Sequence, residues 1–153
     1  MQQLNFPSYD FSVRRDGESL QIFDSWRRRF VRLTPEEWVR QHMLRFLVDE
    51  LGYPSGLLAV EYSIDVNGMR KRCDAVLFDT ERRARLIVEL KAPHVRLTQR
   101  VFDQVAVYNH RLGVDYFILS NGLEHYACRV DRQTGRYLFF PSLPDYSQLV
   151  RQS

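Results

Sequence analysis

Three ionisable residues interrupt sequence that otherwise reads as apolar β-strand: Asp74 in CDAVLF, and Glu89 and Lys91 in LIVELK. Glu89 and Lys91 are two residues apart, so on a strand their side chains project from one face, while Leu86, Val88 and Leu90 take the other. Burying an unpaired charge costs several kcal/mol, on the order of that for a broken buried ion pair, so the residues need a reason to be there. The turn at Thr80–Arg83 would fold the two strands together and bring Asp74 beside Glu89.

Two carboxylates and a lysine in such a place suit phosphoryl chemistry. The carboxylates of Asp74 and Glu89 are hard oxygen donors for a divalent ion such as Mg²⁺ or Mn²⁺, and the backbone carbonyl of Leu90 is a third. A bound ion would lower the pKa of a water and offset charge building on a phosphate. Lys91 could orient the water or stabilise the transition state. The structural alternative is a buried Asp–Lys–Glu network that only fixes strand register.

The elements that must position these groups follow from pattern. FSVRR and SLQIF flank Asp16-Gly17, an N-terminal hairpin, with a further short strand at 30–33. Thr34-Pro35-Glu36-Glu37 opens a helix: Thr34 as N-cap, Pro35 in the first turn, and Glu37 three residues after the cap. Trp38, Val39, Leu44, Phe46, Leu47 and Leu51 give that helix its apolar stripe, and Gly52-Tyr53-Pro54 stops it. LAVEYSID and KRCDAVLFD form a hairpin about Asn67-Gly68, and Pro93 ends the strand ARLIVELK. A second helix is expected over 98–112, with Val101, Val105, Tyr108 and Leu112 on one face and Gly113 as C-cap. VDYFILSNG reads as a central strand, and HYACRVD with RYLFF as a C-terminal hairpin. The order α-β-β-β-α-β, with a parallel crossover between LIVEL and DYFIL, predicts a mixed sheet flanked by helices.

Composition limits the alternatives. A chain of 153 residues with 44% hydrophobic and 27% charged residues reads as one folded domain over 1–153, its core about 34–120. No apolar run is long enough to span a bilayer and the N-terminus has no signal-peptide pattern, so a cytoplasmic protein is expected, with no membrane partner. Cys73 and Cys128 are too few and too isolated for a disulfide framework or a structural zinc site, and Cys73 reads as a small buried hydrophobe. Neither Ser120 nor Cys128 has an evident His/Asp partner, so a hydrolase triad is not supported. The net charge of +3 and the arginine clusters at 27–29, 70–72 and 82–85 are compatible with phosphate contacts or with solvated turns.

Asp74, fourteen intervening residues, and then Glu89-Leu90-Lys91 resemble the bipartite signature of the PD-(D/E)XK nuclease superfamily. TPEEWVRQ, KRCDAVLFD, LIVELKAP, TQRVFDQVAVYN and YFILSNG are similar to the N-terminal nuclease domain of type I restriction-enzyme R subunits, over about residues 23–146. The resemblance implies a restriction-endonuclease-like α/β fold and a Mg²⁺-dependent endonuclease acting on double-stranded DNA. Restriction-modification subunits, or a second copy in a homodimer, are the implied protein partners. It also implies an acidic metal ligand from the first helix, Glu37 or in second place Glu36. Gln104 and Tyr108 match a Q-x-x-x-Y element that follows the catalytic lysine, although Tyr108 equally fits core packing. Two features depart from the family: no GxxxxGK[ST] loop is present to drive a helicase motor, and Cys73 stands where the motif has proline. The alternative function is a nucleic-acid-binding or interaction module that keeps the fold without cutting.

Overall fold

The computed structural model describes residues 1–151. Strands β1 (Val13–Asp16), β2 (Ser19–Asp24) and β3 (Arg29–Arg32) form a small antiparallel sheet that precedes helix α1 (Pro35–Asp49). The expected N-terminal hairpin thus extends to three strands. A main sheet follows, built from β4 (Leu58–Val66), β5 (Met69–Phe78), β6 (Ala84–Leu90), β7 (Tyr116–Ser120), β8 (His125–Val130) and β9 (Tyr137–Phe139). Helix α2 (Gln99–Leu112) crosses from β6 to the parallel strand β7, and all other neighbouring pairs in the sheet are antiparallel. The C-terminal hairpin is therefore an edge of the main sheet rather than a separate unit. Helix α3 (Tyr146–Arg151), in the proline-containing tail, has no counterpart in the sequence reading.

The two long helices cover opposite faces of the sheet. Val39, Met43, Leu44 and Leu47 of α1 pack with Ala75, Leu77, Leu86, Val88, Leu90 and Ile118. Phe102, Val105 and Ala106 of α2 pack with Phe117, Leu119, Cys128 and Val130 on the other side. Every residue of β7 is buried, as the unbroken apolar run requires of a strand covered on both faces. Asn109 donates from Nδ2 to the Tyr116 carbonyl at 2.7 Å and so ties α2 to β7.

Local signals explain the boundaries. Thr34 Oγ1 accepts from the Glu37 amide at 3.0 Å, capping α1. Asn67 and Gly68 both have positive φ, 52° and 79°, the pair of conformations a two-residue hairpin loop demands. Gly113, at φ 71°, ends α2 with its N–H on the last carbonyls. One expectation is corrected: Tyr108 lies on the exposed side of α2, and Phe102, Ala106 and Asn109 join Val105 and Leu112 on its buried side.

Candidate active site where β5 meets the end of β6

The β4–β5 register runs Val60↔Ala75 and Tyr62↔Cys73, skipping the pair Glu61 and Asp74 that lies between. Glu61 there adopts φ 49°, uncommon for a residue with a side chain and costly enough to mark a local distortion of the strand. The side-chain alternation of β5 is broken at the same point. Cys73 packs with Val76 and Ile87, whereas Asp74 turns to helix α1.

Both oxygens of Asp74 carry a hydrogen bond. Its Oδ1 accepts from Arg40 Nη2 at 2.6 Å, and its Oδ2 accepts from the Leu90 N–H at 2.8 Å. Leu90, expected to offer its carbonyl to a metal, thus also fixes Asp74 through its amide, and its side chain is buried in the core. Glu89 is 6% exposed. Lys71 Nζ stands 3.3 Å from its Oε1, close enough to attract but without an aligned hydrogen bond, so that oxygen is buried without a hydrogen-bond partner. Burial, with the Asp74 charge adding to it, raises the Glu89 carboxyl to about 7 against the pull of Lys71 and Lys91.

Lys91 sits one residue beyond β6, its amide donating to the Ser120 carbonyl at 2.9 Å. Its ammonium belongs to no ion pair within 4 Å among the described residues, yet it acts electrostatically on both Glu89 and Glu36. The structure therefore gathers Asp74, Glu89 and Lys91 at one end of the sheet. The cation paired to Glu89 is Lys71, from the basic cluster at 70–72, rather than the strand lysine Lys91.

Helix α1 presents two carboxylates of unlike character. Glu37, 5% exposed, binds Arg27 Nη2 at 2.7 Å, Arg40 Nη1 at 2.5 Å and Gln41 Nε2 at 3.0 Å. Its amide completes the Thr34 cap, but its carboxylate is held among the arginines. Glu36 is exposed and lies within reach of Asp74 and Lys91; burial first, then the Asp74 charge, raises its carboxyl.

Arg27 and Arg40 link these groups into one network. Arg27 also binds Asp24 at 2.6 Å and Glu61 at 3.0 Å, and Arg40 lies 3.5 Å from Glu36 and 3.7 Å from Glu61. Burial works to raise the Asp24 carboxyl, yet bonds from the Arg27 amide and guanidinium hold it below the ordinary value. Arg27 is thus an internal anchor, neither the phosphate contact nor the solvated turn residue that its cluster allowed. Arg83 is similarly engaged, bonded to Asp79 in its own turn.

On α2, Gln104 is exposed beside Arg100, Val107, Tyr108 and Arg111. Among the described residues no hydrogen bond or ion pair joins Gln104 to Asp74, Glu89 or Lys91. Tyr108 is connected indirectly, since Lys71 Nζ lies 5.1 Å over its ring while attracting Glu89. Ser120, read as lacking a histidine partner, in fact bonds His125 Nδ1 at 2.7 Å. The other ring nitrogen of His125 meets the Asn5 carbonyl and Ser120 is wholly buried, so the pair is not a triad open to substrate. Burial pushes the Cys73 thiol up to about 12, which leaves little thiolate at neutral pH.

The residues fit a hard divalent cation in donor chemistry: carboxylates of Asp74, Glu89 and Glu36, one of them with a buried oxygen lacking a hydrogen bond. They are not preassembled around one, because no group of three or more His, Cys, Asp or Glu side chains among the described residues is arranged to hold a metal ion.

A mixed sheet covered by α1 and α2, with an acidic cluster and a lysine where the end of β6 meets the middle of β5, defines a restriction-endonuclease-like fold. The family model described as type I restriction enzyme R protein N terminus (HSDR_N) matches residues 35–144, and the chain belongs to that family. Its fold is similar to the fragment structure described as an HsdR subunit of a type I restriction enzyme from Vibrio vulnificus YJ016. There the TM-score is 0.55 at 20% identity over 78% of this chain and 25% of that one. Weaker likenesses are to a DrdV–DNA complex (TM-score 0.46, 21% identity, 77% of this chain and 12% of that one) and to a protein described as a DUF820 nuclease from Anabaena variabilis (0.48, 10%, 90% and 88%). No curated protein matches the sequence.

Proposed function

We propose that this chain is a metal-dependent DNA endonuclease domain in which Asp74, Glu89 and Lys91 carry phosphodiester hydrolysis. The observation that carries the reading is the closeness of the buried Glu89, its carboxyl raised, to Asp74 and to Lys91, whose ammonium makes no ion pair among the described residues. Mg²⁺ or Mn²⁺, held by Asp74 and Glu89 with Leu90 O and Glu36 or Glu37, would supply charge neutralisation at the phosphate and a more acidic water. Lys91 is placed to hold the attacking water or the developing charge on the phosphate oxygens. Gln104, with Tyr108, is assigned to the substrate strand. Double-stranded DNA is the substrate class, and two sites, from a homodimer or from partner restriction-modification subunits, would cut both strands. Sequence choice would come from those partners.

The test is plasmid DNA incubated with the purified protein and Mg²⁺ or Mn²⁺. Cleavage that is lost in Lys91→Ala and Asp74→Ala supports the proposal; equal cleavage by wild type and variants rejects it. A second reading, a binding module of the same fold that does not cut, is favoured by Arg40 and Lys71 already standing against the two carboxylates. It predicts salt-dependent DNA affinity with no cleavage and no metal site lost on Asp74→Ala.

A further inference from the structure

The small N-terminal sheet has two unlike faces. Ile22 and Asp24 point into the molecule and are wholly buried. Alternation places Asp16, Arg14, Ser19, Gln21, Phe23, Phe30 and Arg32 on the other face. Arg14, Gln21 and Arg32 form one rung across the three strands, and Phe23 and Phe30 form the next same-face rung, about 7 Å further on. Phe23 and Phe30 meet edge to face at 5.3 Å, and the Arg14 guanidinium lies 3.9 Å over the Phe30 ring. Arg14 Nε donates to Gln21 at 2.8 Å, so the arginine is held in place. Phe23 is left 40% exposed.

This face borders the first turn of α1, whose Arg40 reaches Asp74. A cleft of roughly 670 Å³ is lined by Arg29, Phe30 and Arg32 on one side and by Glu36, Arg40 and His94 on the other. The sheet is fixed against that helix, since Asp24 at the end of β2 binds Arg27, which binds Glu37 on α1.

Resting on the DNA reading above, we propose that the exposed face of β1–β3 is a platform for a single DNA strand leading into the cleft. Arginines, of which Arg14 is held in place, beside an exposed aromatic ring are the two components such a surface needs: charge for the phosphates and a flat apolar face for a base. An intact duplex hides its base faces and would use only the arginines, so the exposed Phe23 ring favours an unpaired strand. The carboxylate on this face, Asp16, lies at the far turn, away from the aromatic rung and the cleft.

The test is fluorescence anisotropy with a labelled oligothymidylate of about a dozen nucleotides, against a duplex of equal length, with divalent ions chelated. Phe23→Ala should weaken single-strand binding roughly tenfold, leave duplex binding unchanged, and Phe23→Tyr should retain affinity. Arg14→Gln and Arg32→Gln should each lower the salt slope of single-strand binding by about 0.7. Phe23→Trp supplies a second readout, because a stacked base should quench the indole on titration. The proposal is overturned if Phe23→Ala binds as wild type, if the duplex shows the same dependence on Phe23, if the indole is not quenched, or if no oligonucleotide binds. A face built instead for a protein partner gives this last pattern. Binding is read without metal, so single-strand binding that ignores Phe23 refutes the platform while plasmid cleavage stands, and Phe23-dependent binding without cleavage refutes the nuclease alone.

Discussion

Arg40 Nη2 lies 2.6 Å from Asp74 Oδ1, so a cation of the chain itself rests on the carboxylate expected to ligate a metal. The same guanidinium reaches Glu37 through Nη1 at 2.5 Å, and it is almost wholly buried. Arg40 therefore joins α1 to β5 while neutralising two carboxylates that would repel one another. Its planar fork can serve both at once, which a lysine ammonium does less well.

Removing Arg40 should accordingly cost far more than a surface charge. Arg40→Leu leaves Glu37 and Asp74 buried without this partner, and a loss of about 3–5 kcal/mol is expected. Arg40→Lys should recover only part of it. Urea denaturation of the three proteins measures the effect; a loss below about 1 kcal/mol, the surface-pair range, would show that the network is not a stabilising tie.

Glu89 should make stability pH-dependent in the direction opposite to an ordinary paired carboxylate. Its folded carboxyl is raised to about 7 from an ordinary 4.5, so between those values the folded state holds more proton than the unfolded. The contribution is fully present below pH 4.5 and is lost as pH rises through 7. The shift corresponds to about 3 kcal/mol between those limits. Glu89→Gln should flatten this part of the profile and be more stable than wild type at pH 8. Thermal melts of both proteins between pH 5 and 8 check it, and parallel profiles would refute the assignment to Glu89.

Much of this architecture was legible in the sequence because it depends on local signals. Asn67-Gly68 fixes the β4–β5 hairpin, Thr34-Pro35 starts α1, and the unbroken apolar run of β7 implies its central place. Asp74, Glu89 and Lys91 could be singled out because charge is rare in such strands. The arginine network was not legible, since Arg27, Arg40 and Glu61 meet only after α1 packs on the sheet. Two signals did exist: the Asn67-Gly68 loop sets Glu61 opposite Asp74, and Arg40 follows Glu36 and Glu37 at helical spacing. Tyr108 was misplaced because 3.6-residue periodicity fixes a face only to within a residue or so when the buried side includes polar Asn109.

Metal affinity should follow the Glu89 proton. A divalent ion competes with that proton, so below pH 7 each unit of acidity should weaken Mn²⁺ binding about tenfold, and above it affinity should level off. Calorimetric titration of Mn²⁺ at pH 6, 7 and 8 tests this. Affinity that is flat over the range would place the ion elsewhere than on Glu89.

The two acidic residues of the α1 first turn should separate by phenotype. Glu37 accepts from Arg27, Arg40 and Gln41, so Glu37→Gln breaks a buried charge network and should cost about 3 kcal/mol or more of stability. Glu36 is exposed and its ion pair to Arg40, at 3.5 Å, is long, so Glu36→Gln should leave stability within about 0.5 kcal/mol of wild type. Its charge, however, faces Asp74 and Lys91. Glu36→Gln should therefore weaken Mn²⁺ binding and any Mn²⁺-dependent cleavage without affecting the fold. Denaturation and Mn²⁺ titration of both variants decide the matter: an unfolded-prone Glu36→Gln, or a Glu37→Gln that is stable but no longer binds metal, would reverse the assignment and make Glu37 the helix's ligand.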